Sequence, residues 1–276
     1  MESPIDRGFD VIGSIAIIKK KPGEGQKKLR KLGEAIINQN KHISSVFNKV
    51  GGIEGEDRLM KLKWVAGDKK TLTIHKENGF SFYVDVKRVF FTPRMVSERL
   101  RVINQVKPNE NVLDMFCGVG PFAIPIARRT SSVYALDINK NAIKLLEKNI
   151  ALNKIKNMDF KCGDSGLLVK NLDKKFSRVI MNYPSNPLKF LKSALSAADE
   201  KCTLHYYKFI NTHDTYAVKE EKNKIINTAG KNFRIMKIKT YKAGETAPFV
   251  TRMCFDITAK KVSNWSSKRP SPARYS

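Results

Sequence analysis

The chain has 276 residues, 41% of them apolar, and carries 52 Lys and Arg against 26 Asp and Glu for a formal net charge of +26. That apolar content supports a packed core in one large domain or two and excludes a disordered chain, while the charge calls for a polyanionic partner. No apolar run reaches the roughly 20 residues of a bilayer crossing, and "MESPIDRGFD" lacks the regions of a signal peptide, so a soluble, cytoplasmic protein with no membrane contact is expected.

The positive excess is spread along the chain: 19 basic against 11 acidic residues over 1–95, 17 against 10 over 96–200, and 16 against 5 over 201–276. A nucleic acid draped across the body fits this better than one basic tail. Cys117, Cys162, Cys202 and Cys254 lie far apart with no Cys-x-x-Cys pair and no histidine at ligand spacing, which predicts reduced thiols and no metal site.

In chain order, residues 8–22 read as a strand ended by a basic turn. "GEGQKKLRKLGEAIINQN" follows as an amphipathic helix with Leu29, Leu32, Ala35 and Ile36 on its apolar face. Four strand-like pieces come next, with turn signals at Gly51-Gly52, Gly67-Asp68 and Asn78-Gly79, giving a small α+β unit that ends near residue 92. From Pro93 the pattern becomes a helix, "RMVSERLRVINQV", and then strands alternating with helices at "NVLDMF", "VYALD", "MDFKC", "SRVIMN", "CTLHYYKF", "FRIMKIKTY" and "RMCFDITA". That alternation predicts a doubly wound, largely parallel sheet over 93–262, and the Ser/Pro/basic stretch 263–276 reads as a disordered tail. The fold expected is therefore α/β: a Rossmann-type sheet with a small N-terminal α+β RNA-binding domain over residues 1–92.

"VLDMFCGVGPF" is a strand, a Gly-x-Gly turn and a helix start, with Asp114 at the strand end. Such glycines also serve packing alone. The next strand ends at Asp137, where a carboxylate can accept both ribose hydroxyls, and Asp164 follows the third. Each aspartate alone could be a helix cap, but three strand ends in register converge on a nucleoside. Ala123 stands where a dinucleotide fingerprint needs its last glycine, so an adenosine with a short zwitterionic arm fits better than a pyrophosphate. S-adenosylmethionine is that ligand, with Asp137 at the ribose, Asp164 near the adenine amine, and Phe116 with the Gly118–Gly120 turn along the methionine arm.

"VIMNYPSNP" ends the fourth strand, which Pro184 stops, and sets Asn182 at the same crevice. An Asx-turn before proline would explain Asn182 equally well by itself. Its position favours the Asn-x-Pro turn of Rossmann-type methyltransferases acting on nucleobase nitrogens, which it resembles. In "VFFTPRMVSER", Arg94 and Glu98 are four apart and share a helix face. A surface salt bridge is the plain reading. Methylation of guanine N1 gives another: a base must remove the N1 proton and a cation must support charge growing on O6.

Taken together, "VGGIEGEDRLMKL", "HKENGFSFYVDVKRVFFTPRMVSER", "VLDMFCGVGPF", "ALDIN", "GDS", "VIMNYP" and "LHYYKF" resemble, in order, the archaeal and eukaryotic tRNA (guanine-N1)-methyltransferase family acting at position 37, over about residues 8 to 258. The resemblance implies Glu98 as general base, Arg58 at guanine O6, and Asn182 positioning the base. It implies Arg99, Phe116, Asp137, Ile138, Asn139, Asp164 and Ser165 around the cofactor, with Asn182 bordering it as well. It also implies binding to the anticodon arm of tRNA; no protein partner is implied, and a monomer is expected. The family usually has a further N-terminal module at the outer corner of tRNA, and this chain begins at the second one, so weaker reading of the whole tRNA shape is expected. Where the family commonly has Asn-Leu-Pro and Tyr-Phe-Ser-Pro-Arg, this chain has Asn182-Tyr183-Pro184 and Phe90-Phe91-Thr92-Pro93-Arg94. An aromatic hydroxyl is lost there, and Tyr183 adds an aromatic that could broaden the substrates accepted.

Three rivals remain. The related aminocarboxypropyl transferase of wyosine synthesis uses the same cofactor but carries Gly-Asn where this chain has Arg94-Met95. A dual enzyme would also methylate a carbon of a tricyclic wyosine precursor. A non-catalytic RNA-binding protein would not need Glu98, Arg58, Asn182 and three pocket aspartates.

Overall fold

In the computed structural model, which describes residues 7–54 and 59–262, the chain opens with a hairpin. β1 (Asp10–Ile12) and β2 (Ile15–Lys19) pair antiparallel where one strand was expected, because Gly13 turns the chain at φ +55°. A Cβ at Gly13 would lie 2.2 Å from Thr73 Oγ1, so only glycine fits there. α1 (Gln26–Gln39) then crosses to β3 (Ser45–Glu54), parallel to β2, and β4 (Leu59–Gly67) returns antiparallel. Leu29, Leu32 and Ile36 of α1, three of the four apolar positions expected from the sequence, bury against Ala16, Ile18, Val46 and Val65, while Ala35 at the edge of that face is only half-buried. Gly51-Gly52 proves not to be a turn. β3 runs through it with its register shifting between Lys49 and Ile53, a bulge that glycine permits at φ +78° for Gly51.

β5 (Leu72–Glu77) and β6 (Phe80–Asp85) form a separate hairpin closed by Asn78-Gly79, both at positive φ, the backbone that a tight hairpin turn requires. Thr92 then caps a 3₁₀ turn over Pro93–Met95 that leads into α2 (Val96–Ile103). The remaining elements alternate: β7 (Asn111–Asp114), α3 (Ala123–Ala127), β8 (Ser132–Asp137), α4 (Lys140–Leu152), β9 (Met158–Cys162), α5 (Ser165–Leu168) and β10 (Phe176–Met181). They finish with α6 (Leu188–Ser196), β11 (Ala198–Asn211), α7 (Ala217–Ala229), β12 (Phe233–Ala247) and β13 (Val250–Lys261).

The seven strands lie in the order β12-β13-β11-β10-β7-β8-β9. β7 to β11 are mutually parallel and β13 inserts antiparallel between β11 and β12, so the sheet is mixed. Both faces are covered: Val112 and Ile180 belong to one apolar cluster and Leu113 and Val179 to another, which is why these strands read as continuous apolar runs. From β7 the chain winds outward through β8 and β9, then returns to lay β10 on the other side of β7. A crevice opens at that reversal, outside the carboxyl ends of the strands.

The β5–β6 hairpin docks on this second body through two asparagines one helical turn apart. Asn149 and Asn153 accept from the N–H groups of Tyr83 (2.7 Å) and Ser81 (3.0 Å) and donate back to the same residues' carbonyls (3.2 and 2.7 Å), as a neighbouring strand would. Arg58 and the stretch 263–276 lie outside the described residues. Among the described residues, no helix is long and apolar enough to cross a membrane.

Candidate active site

A cavity occupies the crevice, and eight of the residues singled out from sequence line it: Arg99, Phe116, Asp137, Ile138, Asn139, Asp164, Ser165 and Asn182. Asp137, at the end of β8, is aimed by two backbone donors, with Oδ2 accepting from Gly118 N–H (2.7 Å) and Oδ1 from Asn139 N–H (2.9 Å). The two glycines of the turn have different reasons to be there. A Cβ on Gly118 would meet only the Phe90 carbonyl oxygen, at 3.8 Å, so the backbone lies open to a ligand. One on Gly120 would fall 2.6 Å from Leu146 Cδ1, a packing constraint.

The capping reading of the polar residues is also realised. Asp164 Oδ1 accepts from Leu167 N–H (3.1 Å) at the start of α5 while the residue lines the cavity. Asn139 caps α4 through Asn141 N–H (2.8 Å) and donates to Arg88 O (2.9 Å), and Ser165 donates to Met115 O. Asn139 and Ser165 are thereby fixed to the wall, while Asp164 spends only one acceptor on its cap and keeps accepting capacity toward the cavity. Asn182 differs, because its Oδ1 is buried with no hydrogen-bond partner among the described residues. A buried acceptor without a donor is costly and marks a place where a ligand can supply one. Beside it Tyr183 stacks on Phe116 (centroids 5.0 Å, interplanar 23°), with Phe190 edge-on to both.

Asp114, at the end of β7, accepts from Phe116 N–H (3.3 Å), but its Oδ2 has no partner among the described residues, and burial pushes its pKa up to about 7. Arg99, 2% exposed, forms a two-point pair with Glu77 and donates to Thr92 O (3.1 Å). Burial of Glu77 works against its charge, but His75 and Arg99 outweigh it and hold the carboxyl below its ordinary value. The cavity wall near Arg99 is thus closer to neutral than one arginine suggests.

Glu98 and Arg94 do not line the cavity and do not pair with each other. Arg94 points outward and its Nε holds Asp10 Oδ1 at 2.7 Å, tying β1 to the start of α2 and the large sheet. Glu98, 5% exposed, accepts from Arg101 Nε (2.7 Å), Arg101 Nη2 (2.8 Å) and the Tyr207 hydroxyl (2.7 Å). Arg101 continues to Asp256 (2.7 Å), Asp256 to His205 Nδ1 (2.7 Å), and His205 Nε2 to Arg178 (2.6 Å), which pairs with Glu110. Arginine only donates, so Nε2 must accept and Nδ1 must carry the proton given to Asp256. That tautomer is neutral, in keeping with burial pushing the His205 pKa down. His205, Cys254 and Asp256 come together at metal-ligand range, but both ring nitrogens of His205 are spent on these hydrogen bonds and the Cys254 thiol donates to Asp256 (3.2 Å).

Phe91, Met95, Lys189 and Phe190 also line the cavity and were not picked out from sequence. The aromatic pair before Thr92 and the first turn of α6, directly after the Asn-x-Pro turn, were the available signals.

Residues 73–237 match the TRM5/TYW2 methyltransferase domain and residues 1–71 the TYW2 N-terminal domain. The tRNA (guanine(37)-N(1))-methyltransferase Trm5b of Pyrococcus abyssi is 42% identical over 208 residues, which is 75% of this chain and 62% of that protein, so the chain spans less than two thirds of this relative's length. The crystal structure of Trm5b from Pyrococcus abyssi superposes with a TM-score of 0.82 at 36% identity, covering 92% of this chain and 75% of that one. A complex of aTrm5 with tRNALeu gives a TM-score of 0.79 at 33% identity, covering 92% and 72%. The chain belongs to the TRM5/TYW2 methyltransferase family.

Proposed function

We propose that the chain transfers a methyl group from S-adenosylmethionine to N1 of guanosine 37 in the anticodon arm of tRNA. The observation that carries this reading is one crevice that holds both Asp137, aimed by two backbone N–H groups, and the unpartnered Asn182 Oδ1. The relatives above, whose names and structures concern this reaction and tRNA, support it.

The residues fit the cofactor. Asp137 would accept its ribose hydroxyls, Ile138 and Asp164 would flank the adenine, and the open backbone at Gly118 with Phe116 would receive the methionine arm. Asn139, Ser165 and Arg99 would hold that wall in shape. S-adenosylmethionine supplies a methyl group on a sulfonium centre. Asn182 Oδ1, an acceptor in need of a donor, suits the donor edge of guanine at N1–H and N2–H₂. A flipped base would meet the Phe116–Tyr183 stack as its wall.

Glu98 takes the N1 proton in this reading. It lies next to cavity-lining Arg99 on α2, and Arg101 keeps its second carboxylate partner, Asp256, when Glu98 turns toward the base. We assign the cation at O6 to Arg58, with Arg94 as the second candidate because Asp10 already holds it. The match of residues 1–71 to the TYW2 N-terminal domain favours one other reading, transfer of the aminocarboxypropyl arm. Methyl-labelled S-adenosylmethionine tests the proposal: label must pass to tRNA with guanosine 37 and not to the same tRNA with adenosine 37. Equal labelling, or none, contradicts it.

A further inference from the structure

Two loops meet at the carboxyl end of β11. In the first, His213 N–H donates to Asn211 Oδ1 (3.0 Å) and Tyr216 N–H to Asp214 Oδ1 (2.9 Å), so two short polar side chains fix the backbone. The second is the tight turn between β12 and β13, where Phe249 sits at φ +62°, a conformation that glycine takes easily and a phenylalanine rarely does. Thr212 N–H donates to Phe249 O (2.9 Å) and joins the loops, and the His213 and Phe249 rings lie 4.1 Å apart. Phe249 is nevertheless 60% exposed and Tyr216 68%. The fold holds a strained residue at a position that leaves its ring largely in water.

The place matters as much as the exposure. Phe209 N–H donates to the Pro184 carbonyl (3.3 Å), directly after Asn182-Tyr183 at the cavity. Asn211 is two residues further along the strand, so at about 3.3 Å per residue the aromatic pair stands on the order of 10 Å from Pro184. Lys208 and Lys242 both register against Met253, one from each side, which places two cations in one row of the sheet below the loops. An enzyme that draws one base out of a stack leaves its neighbour without a stacking partner, and an aromatic platform with two cations four residues further down the sheet suits that neighbour and the phosphates of the chain leading from it.

We propose that Phe249, with His213 and Tyr216, is a stacking platform for the unpaired anticodon-loop nucleotide next to the target guanosine. This rests on the tRNA reading given above. Phe249→Gly removes the ring and suits the backbone, so the turn keeps its shape. The probe is an anticodon stem-loop RNA with 2-aminopurine on either side of guanosine 37. Wild-type protein should quench the fluorescence of one of the two labels by stacking. Phe249→Gly should lose that quench and bind about 5- to 150-fold more weakly, with cofactor affinity unchanged. Phe249→Trp should retain both. Wild-type affinity and quench in Phe249→Gly would overturn the platform and leave the function standing, whereas a wild-type protein that binds no RNA would overturn the function itself and the platform with it.

Discussion

Glu98 and Arg101, one turn apart on α2, form a two-point ion pair at 2.7 and 2.8 Å, and the same guanidinium reaches Asp256 at 2.7 Å. The candidate base is therefore held by a cation that has a second anion in hand. Removing only the charge tests the role, since Glu98→Gln keeps the size and leaves Arg101 with Asp256. Single-turnover methyl transfer should fall by ~10²–10⁴-fold while calorimetry shows cofactor binding intact. Near-wild-type rates would make Glu98 a member of the buried network and no more.

Asp137 makes the opposite prediction. Asp137→Ala should weaken cofactor binding with little change in RNA affinity, because the carboxylate lines the cavity, is oriented by Gly118 and Asn139, and in the proposed reading accepts the ribose hydroxyls. Titration calorimetry with S-adenosylmethionine reads this directly. Unchanged affinity would mean the nucleoside lies elsewhere.

Asp114 gives a pH dependence. Burial raises its pKa from 3.8 to about 7 in the folded state, so folding favours the protonated form. The stabilisation is complete below the unfolded value and is lost as pH rises through about 7. Asp114→Asn imitates the neutral form at every pH. The cofactor-free variant should match the wild type at pH 4 and exceed it at pH 8, by on the order of a few kcal/mol in denaturant unfolding. Parallel stability curves would show that the carboxyl ionises freely.

Arg94 and Arg58 separate by activity. Arg94 is mostly exposed and paired with Asp10, an arrangement worth roughly 0–1 kcal/mol, so Arg94→Ala should change stability and turnover little. Arg58→Ala should cost turnover heavily. A large loss at Arg94 alone would reverse the assignment of the O6 cation.

Much of this site was legible because it follows from strand ends. Asp137, Asp164 and Asn182 are each the residue at or just after the carboxyl end of a strand, and alternation of apolar runs with helices locates those ends without coordinates. The surroundings of Glu98 were not legible, since Tyr207 lies 109 residues away in sequence and Asp256 joins through Arg101. Arg94 looked like a partner for Glu98 at helical spacing, but the 3₁₀ start over Pro93–Met95 precedes α2 and Arg94 pairs with Asp10 instead. Gly51-Gly52 carried the composition of a turn and served as a bulge, because positive φ meets both needs. Gly13 was read through as strand interior, and the close approach of Thr73 that demands glycine there comes from tertiary packing.

Mass spectrometry of nucleosides from unmodified tRNA incubated with the protein and S-adenosylmethionine reads both the group transferred and the atom that receives it. The expected product is 1-methylguanosine, located at position 37 by fragment mapping and lost in the Asn182→Ala variant. Unmodified guanosine 37, or a nucleoside carrying an aminocarboxypropyl group, would contradict it.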